Sequence, residues 1–197
     1  MSTPAEPVTI TPSRTALLLL DFQQMVLGQI PGPGPLVDRV VALRDAARRA
    51  SLLTIYVHVA FRPGYPEVSA RNPMFRGVKE YGLMLRDSAD SDFDPRLTPD
   101  KDEITITKTR VGAFRATALD QILRANGAEV LLIAGVNTSG TVLSTTRDAA
   151  DRDYELIVVG DCCADPDESL HRVLVGQVLP MQASIAGSAA VIAALAA

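Results

Sequence analysis

Five apolar runs of four to seven residues, at 16–20, 53–59, 104–107, 130–134 and 154–159, are separated by stretches whose apolar positions recur at helical spacing. Runs this short, rich in Leu, Ile and Val, read as strands buried on both faces. Alternating with helices, they predict an α/β fold of three layers around a mostly parallel sheet. The helix expected over 36–50 has Pro35 near its start, where a missing N–H costs nothing. Leu36, Val37, Val40 and Val41 trace its apolar face, and Arg48 and Arg49 complement the helix dipole in its last turn. Further helices are expected over 117–126, stopped by Asn126-Gly127, over 138–151, and from 165 to about 178. For the last, DPDE reads as a start signal, with Asp165 as N-cap, Pro166 at the first position and Glu168 three beyond the cap. A weak strand near 183–185 and an apolar final helix complete the pattern. Residues 60–102 are irregular and rich in Pro, Gly, Arg and Asp, with a short helix expected within 72–84. So long an excursion in a compact domain is usually functional.

The chain of 197 residues suits one domain, expected over 13–197 behind a flexible arm over 1–12. Hydrophobic residues at 47% can fill its core. The formal net charge of -4 comes without a basic stripe, which excludes a nucleic-acid surface. The start MSTPAEPVTITPSR lacks a basic segment followed by an apolar run, so no signal peptide is expected. No stretch of about 18 uninterrupted apolar residues exists, so no membrane partner is expected either. Cys162 and Cys163 are adjacent, and a bridge between them would close almost no loop. A reducing, cytoplasmic setting fits. With two histidines and no Cys-x-x-Cys, no metal and no organic cofactor are expected.

Ligands of parallel sheets gather beyond the carboxyl ends of the strands. Three such ends stand out. LLLLDFQQ places Asp21 directly after the first strand, ITITKTRVGAF places Lys108 after the third, and LLIAGVNTSGTVLSTTRDAA places a turn and a helix start after the fourth. Together they offer a proton carrier, a fixed positive charge and backbone N–H donors.

The segments LLLLDFQ, TKTRVGAF and GVNTSGTVLSTTRDA, in this order and spacing, resemble the isochorismatase-like cysteine hydrolases over residues 13–187. The resemblance implies a Rossmann-like sheet of about six strands in the order 3-2-1-4-5-6. It implies a catalytic Asp, Lys and Cys, matched here by Asp21, by Lys108 and, at the third place, by Thr141. It also implies a non-proline cis peptide at Val136–Asn137, turning backbone N–H groups of the 137–141 turn toward one point as an oxyanion hole. Val136, Asn137 and Gly140 are thereby substrate-binding candidates. Phe22, Phe61 and Arg62 are read as further pocket residues, Arg62 as a bidentate partner for a substrate carboxylate. The family resemblance, the 60–102 excursion and the apolar tail point to a homo-oligomer, a dimer or tetramer.

Thr141 changes the chemistry that the resemblance implies. A thiol with a pKa of about 8.5 is partly ionised at neutral pH, whereas a hydroxyl needs a strong base, and its β-methyl crowds an attack. Three readings stay open: Thr141 as nucleophile, acid–base hydrolysis of a small polar amide or enol ether by Asp21 and Lys108 alone, or a fold kept for binding without turnover. Cys162 and Cys163 after the fifth strand read as inert filling. His58 lies between Val57 and Val59 without partner histidines for a metal, and His171 reads as structural.

Overall fold

The computed structural model describes residues 9–197. Most of the arm expected over 1–12 lies outside the described residues, and Pro12–Arg14 form a 3-10 turn leading into the first strand. Six strands, β1 (Thr15–Leu20), β2 (Leu53–Val59), β3 (Ile104–Lys108), β4 (Val130–Val136), β5 (Glu155–Ala164) and β6 (Ser184–Ala186), form one sheet in the order β3-β2-β1-β4-β5-β6. Every neighbouring pair is parallel. The helices are α1 (Gln24–Leu27), α2 (Gly34–Arg49), α3 (Pro73–Glu80), α4 (Leu119–Ala125), α5 (Leu143–Ala150), α6 (Glu168–Val173) and α7 (Ser188–Leu195).

The period of two in β1 divides the interior. Leu17 and Leu19 point to one face, where α2 supplies Leu36, Val37, Val40 and Leu43, and α7 supplies Val191. Ala16, Leu18 and Leu20 point to the other, against Leu119 and Leu123 of α4 and Ala149 of α5. A third cluster of Phe61, Tyr65, Phe75 and Met84 sits beyond the strand ends, under α3. Asn72 caps α3 by accepting from Phe75 N–H.

Three details depart from the sequence reading. β5 runs on through Cys162 and Cys163 to Ala164, because Gly135 and Val136 of β4 pair with Cys163 and Ala164. The cap of α6 is Asp167, which accepts from the N–H groups of Ser169 and Leu170. Asp165 stands at the end of β5 instead and reaches across to the turn after β4. The one-turn helix α1 was not anticipated, since four residues carry too little periodicity to read. Among the described residues no helix is long and apolar enough to cross a membrane.

Gly135 lies opposite Leu20 in the pairing of β4 with β1. A Cβ there would stand 2.7 Å from Leu20 Cβ and 2.9 Å from Leu20 O. Neither neighbour is the tip of a flexible side chain, so Gly135→Ala should cost about 1–3 kcal/mol through overpacking. For a domain of this size that lowers the melting midpoint by about 2–4 °C per kcal/mol. An unchanged melting curve would show that the strands can part there freely.

Candidate active site

Asp21 follows β1 directly, with its own N–H still bonded to Val57 O at 2.8 Å. Its φ of 58° is in the left-handed region, which Asp tolerates better than most residues. The chain thus turns at Asp21, and its carboxyl lies over the strand ends. Lys108 ends β3, opposite Val59 of β2. Its side chain is 1% exposed and crosses the end of β2 to reach Asp21. The Nζ donates to Asp21 Oδ2 at 2.7 Å, to Thr141 Oγ1 at 3.0 Å and to Val111 O at 2.5 Å. Three donors meet three acceptors, so the ammonium is fully satisfied.

Asp21 Oδ1 is buried without a hydrogen-bond partner among the described residues. Burial pushes the Asp21 carboxyl above the ordinary carboxylate range, and Lys108 opposes that rise.

Thr141 is held by a π-turn over Thr138–Val142 that links β4 to α5. π-turns of this kind recur at functional sites. The peptide Val136–Asn137 before it is cis, at the position the resemblance implied. Two anchors outside the cavity fix the turn. Ser139 N–H donates to Asp165 Oδ2 at 2.8 Å, and Thr138 Oγ1 shares a hydrogen bond of 2.8 Å with His171 Nδ1. Burial lowers the His171 pKa, which favours the neutral ring. His171 therefore has a definite structural task, as its place on α6 suggested.

Asp21, Lys108 and Thr141 lie at the floor of a cavity of about 160 Å³, which Val136, Asn137 and Gly140 also line. The other three pocket candidates do not line it. Phe22 turns into the core on the α2 face. Phe61 is fully buried, because its N–H and C=O are bridged to Met84 O and Arg86 N–H, and its ring packs edge-on against Phe75 from behind. Arg62 is drawn outward by Glu67, with Nη1 to Oε1 at 2.6 Å. No carboxylate clamp is formed by Arg62.

The walls come from residues that the sequence reading passed over. Met25, Val26 and Gln29 project from α1 and its end, and Met74, Phe75 and Val78 from α3. Both triplets repeat the spacing i, i+1, i+4, which was the available signal. Val59, Met84 and Val111 complete the lining.

Cys162 and Cys163 are buried in β5 and line no part of the cavity. Burial pushes the Cys162 thiol up to about 12 and raises the Cys163 thiol as well, so neither substitutes for a missing nucleophile. His58 stacks on Phe93 at 5.1 Å and bonds through Nε2 to Thr107 Oγ1 at 2.8 Å. Among the described residues no three His, Cys, Asp or Glu side chains gather as a metal cluster.

Comparison with known proteins gives this geometry a context. A ureidoacrylate amidohydrolase of Methylobacterium radiotolerans is 29% identical over 197 residues, spanning 88% of this chain and 76% of the relative. A maleamate amidohydrolase of Pseudomonas putida is 26% identical over 164 residues, spanning 81% and 76%. An isochorismatase family protein of Burkholderia thailandensis superposes with a TM-score of 0.82 at 27% identity over 96% of this chain and 98% of that one. A cysteine hydrolase from Pseudomonas syringae pv. phaseolicola reaches a TM-score of 0.87 at 23% identity, covering 100% and 99%, a likeness of fold alone. The isochorismatase domain model matches residues 15–190. That match runs from the first residue of β1 into α7 and encloses all three strand ends that meet at Lys108, so the chain belongs to the isochorismatase family.

Proposed function

We propose that the protein hydrolyses a small amide by acid–base catalysis at Asp21, without a covalent intermediate on Thr141. The observation that carries this reading is the Lys108 ammonium, which donates to Asp21 and to Thr141 at once. An oxygen that accepts a hydrogen bond from a cation holds its lone pair less available for attack. Asp21 Oδ1 has no hydrogen-bond partner among the described residues, so its lone pairs are uncommitted. A carboxyl raised by burial is a better base than an ordinary one. The names of the two amidohydrolase relatives support an amide over an enol ether.

In the proposed reaction Asp21 removes a proton from a water molecule as its oxygen bonds to the amide carbon. Backbone N–H groups of the 137–141 turn receive the developing oxyanion. The C–N bond then breaks as Asp21 returns the proton to the leaving nitrogen, giving acid and amine. Lys108 keeps the site neutral throughout.

The test is the pH dependence of kcat/KM, joined to mass spectrometry of the protein during turnover. With Asp21 as base, activity falls as pH drops through its raised pKa, and no mass increment appears on Thr141. An acyl adduct on Thr141 would overturn the reading. A second reading, a binding protein without turnover, draws on the absence of a thiol at position 141. Failure to hydrolyse any of a broad panel of small amides would favour it.

A further inference from the structure

The turn that carries Thr141 is held from outside the cavity that it lines. Asn137, Gly140 and Thr141 face that cavity, whereas Thr138 and Ser139 between them do not. Thr138 is fully buried, and its Oγ1 shares the 2.8 Å hydrogen bond with His171 Nδ1. Ser139 N–H donates to Asp165 Oδ2 at 2.8 Å. Asp165 is itself buried, and neither Asp165 nor His171 lines the cavity.

The local fold delivers both anchors. Over the stretch that β4 covers from Ile133 to Gly135, β5 runs from Val158 to Cys163, so β5 bulges there. Beyond the bulge Val136 pairs with Ala164, and the next residue, Asp165, stands beside the turn. Bulges re-aim a strand and gather next to active sites. Asp165 Oδ1 also accepts from Asp167 N–H at 3.3 Å, so its carboxylate joins the turn to the start of α6. Asp167 caps α6, and His171, one turn further on, donates its own N–H to Asp167 O at 3.0 Å. The helix thereby presents His171 to Thr138. Anchoring two consecutive residues fixes the planar peptides around them and, through these, the direction in which Gly140 and Thr141 face.

We propose that Asp165 and His171 are positioning residues for the candidate active site: without reaching the cavity, they set the direction of the backbone N–H groups of the 137–141 turn and of the side chain at 141. The inference rests on the function proposed above for what the turn does, and its tests read the turn without turnover.

Peptide-resolved hydrogen exchange follows the backbone over 136–143. His171→Ala and Asp165→Ala should each speed exchange there by about tenfold, the effect of losing one buried hydrogen bond, while β1 and α2 exchange as in the parent. Asn places an amide where the imidazole Nδ1 or the carboxylate stood. His171→Asn and Asp165→Asn should therefore return most of the protection. Thr138→Val removes the same bond from the other end at nearly the same shape. It should match His171→Ala, the two together should add little, and it stands in for His171→Ala if that variant does not fold. The second readout is the pH profile of alkylation in a Thr141→Cys background. With the turn held, the thiol lies at Lys108 Nζ and the midpoint falls below about 8.5. Either alanine variant should move the midpoint up toward that value, and each asparagine variant should bring it back.

Alanine variants that melt lower yet leave exchange at 136–143, or a lowered midpoint, at the parent's value would make the two contacts ordinary packing and overturn the proposal. Asparagine variants no better than alanine, or a Thr138→Val protein that exchanges like the parent, would overturn it too. If the introduced thiol shows no lowered midpoint in the parent, exchange with asparagine rescue decides alone. The expected exchange and rescue in a protein that hydrolyses no amide would keep the positioning role and remove only the hydrolase reading.

Discussion

Asp21→Asn should lower kcat on a hydrolysed amide by about 10²–10⁴, the usual contribution of a positioned general acid–base, while Thr141→Ala keeps most of the activity. The asymmetry follows from the hydrogen bonds. Asn keeps the shape of Asp21 and accepts from Lys108 Nζ through its carbonyl oxygen, but it cannot carry a proton from water to a leaving group. Thr141→Ala removes one of three acceptors of an ammonium that retains Asp21 and the Val111 carbonyl. If Thr141 were the nucleophile, both changes would abolish turnover alike. Thr141→Cys sharpens the comparison. It places a thiol where Lys108 donates, so the thiolate is favoured below the usual pKa of about 8.5, and alkylation at neutral pH should be rapid. The buried Cys162 and Cys163 give little background in that assay. A folded Thr141→Cys protein whose new thiol resists alkylation would contradict the electrostatics assigned to the site.

Lys108→Met should destabilise the fold by about 3–5 kcal/mol at neutral pH, the effect of removing one partner from a buried ion pair. The side chains of Lys108 and Asp21 are only 1% and 8% exposed, so solvent cannot replace the lost charge. The deficit has a definite pH dependence. Asp21 is already raised by burial, and Lys108 is the main influence opposing that rise. Without Lys108 the folded-state pKa climbs further. A raised folded pKa means that the folded state holds the proton more tightly than the unfolded one. The deficit is therefore small below the unfolded value of about 3.9 and grows as pH rises through the folded value. Denaturant titrations at neutral and acidic pH read this directly. The double variant Lys108→Met/Asp21→Asn should recover most of the neutral-pH loss. Equal stability of Lys108→Met and the parent chain at both pH values would mean that the pair carries no buried charge.

The sheet is readable because its first five strands are short runs rich in Leu, Ile and Val, and because conspicuous charges stand directly after two of them. Asp21 and Lys108 are the first charges to follow LLLL and ITIT, which is why two strand ends pointed to one place. Gly160 and Asp161 look like a turn in sequence, which hides the continuation of β5 beyond Val159. In the fold Asp161 stays within β5, and its carboxylate accepts from Ser188 N–H, at the start of α7, at 2.7 Å. Asp165 was misread for a related reason. DPDE contains two possible caps, and only the contact with Ser139, 26 residues away, shows which one is otherwise engaged. The pocket walls were the least accessible part. Whether Phe61 or Phe75 faces the cavity depends on the bridge between Phe61 and Leu85, a pairing with no local signature. Arg62 looked like a ligand clamp because sequence displays its charge, while the Glu67 that holds it outward is one acidic residue among many.

The Lys108–Asp21 pair joins residues 87 positions apart, and Lys108 reaches its partner only past the intervening strand β2. Contacts of such separation form late, after the entropy of closing long loops has been overcome. A nascent or nicked chain that has docked β1 and β4 but not β3 holds Asp21 and Thr141 with no ammonium between them. Under the proposed mechanism, competence is thus a property of the finished sheet, and the recovery of activity during refolding would report the docking of its edge strand β3.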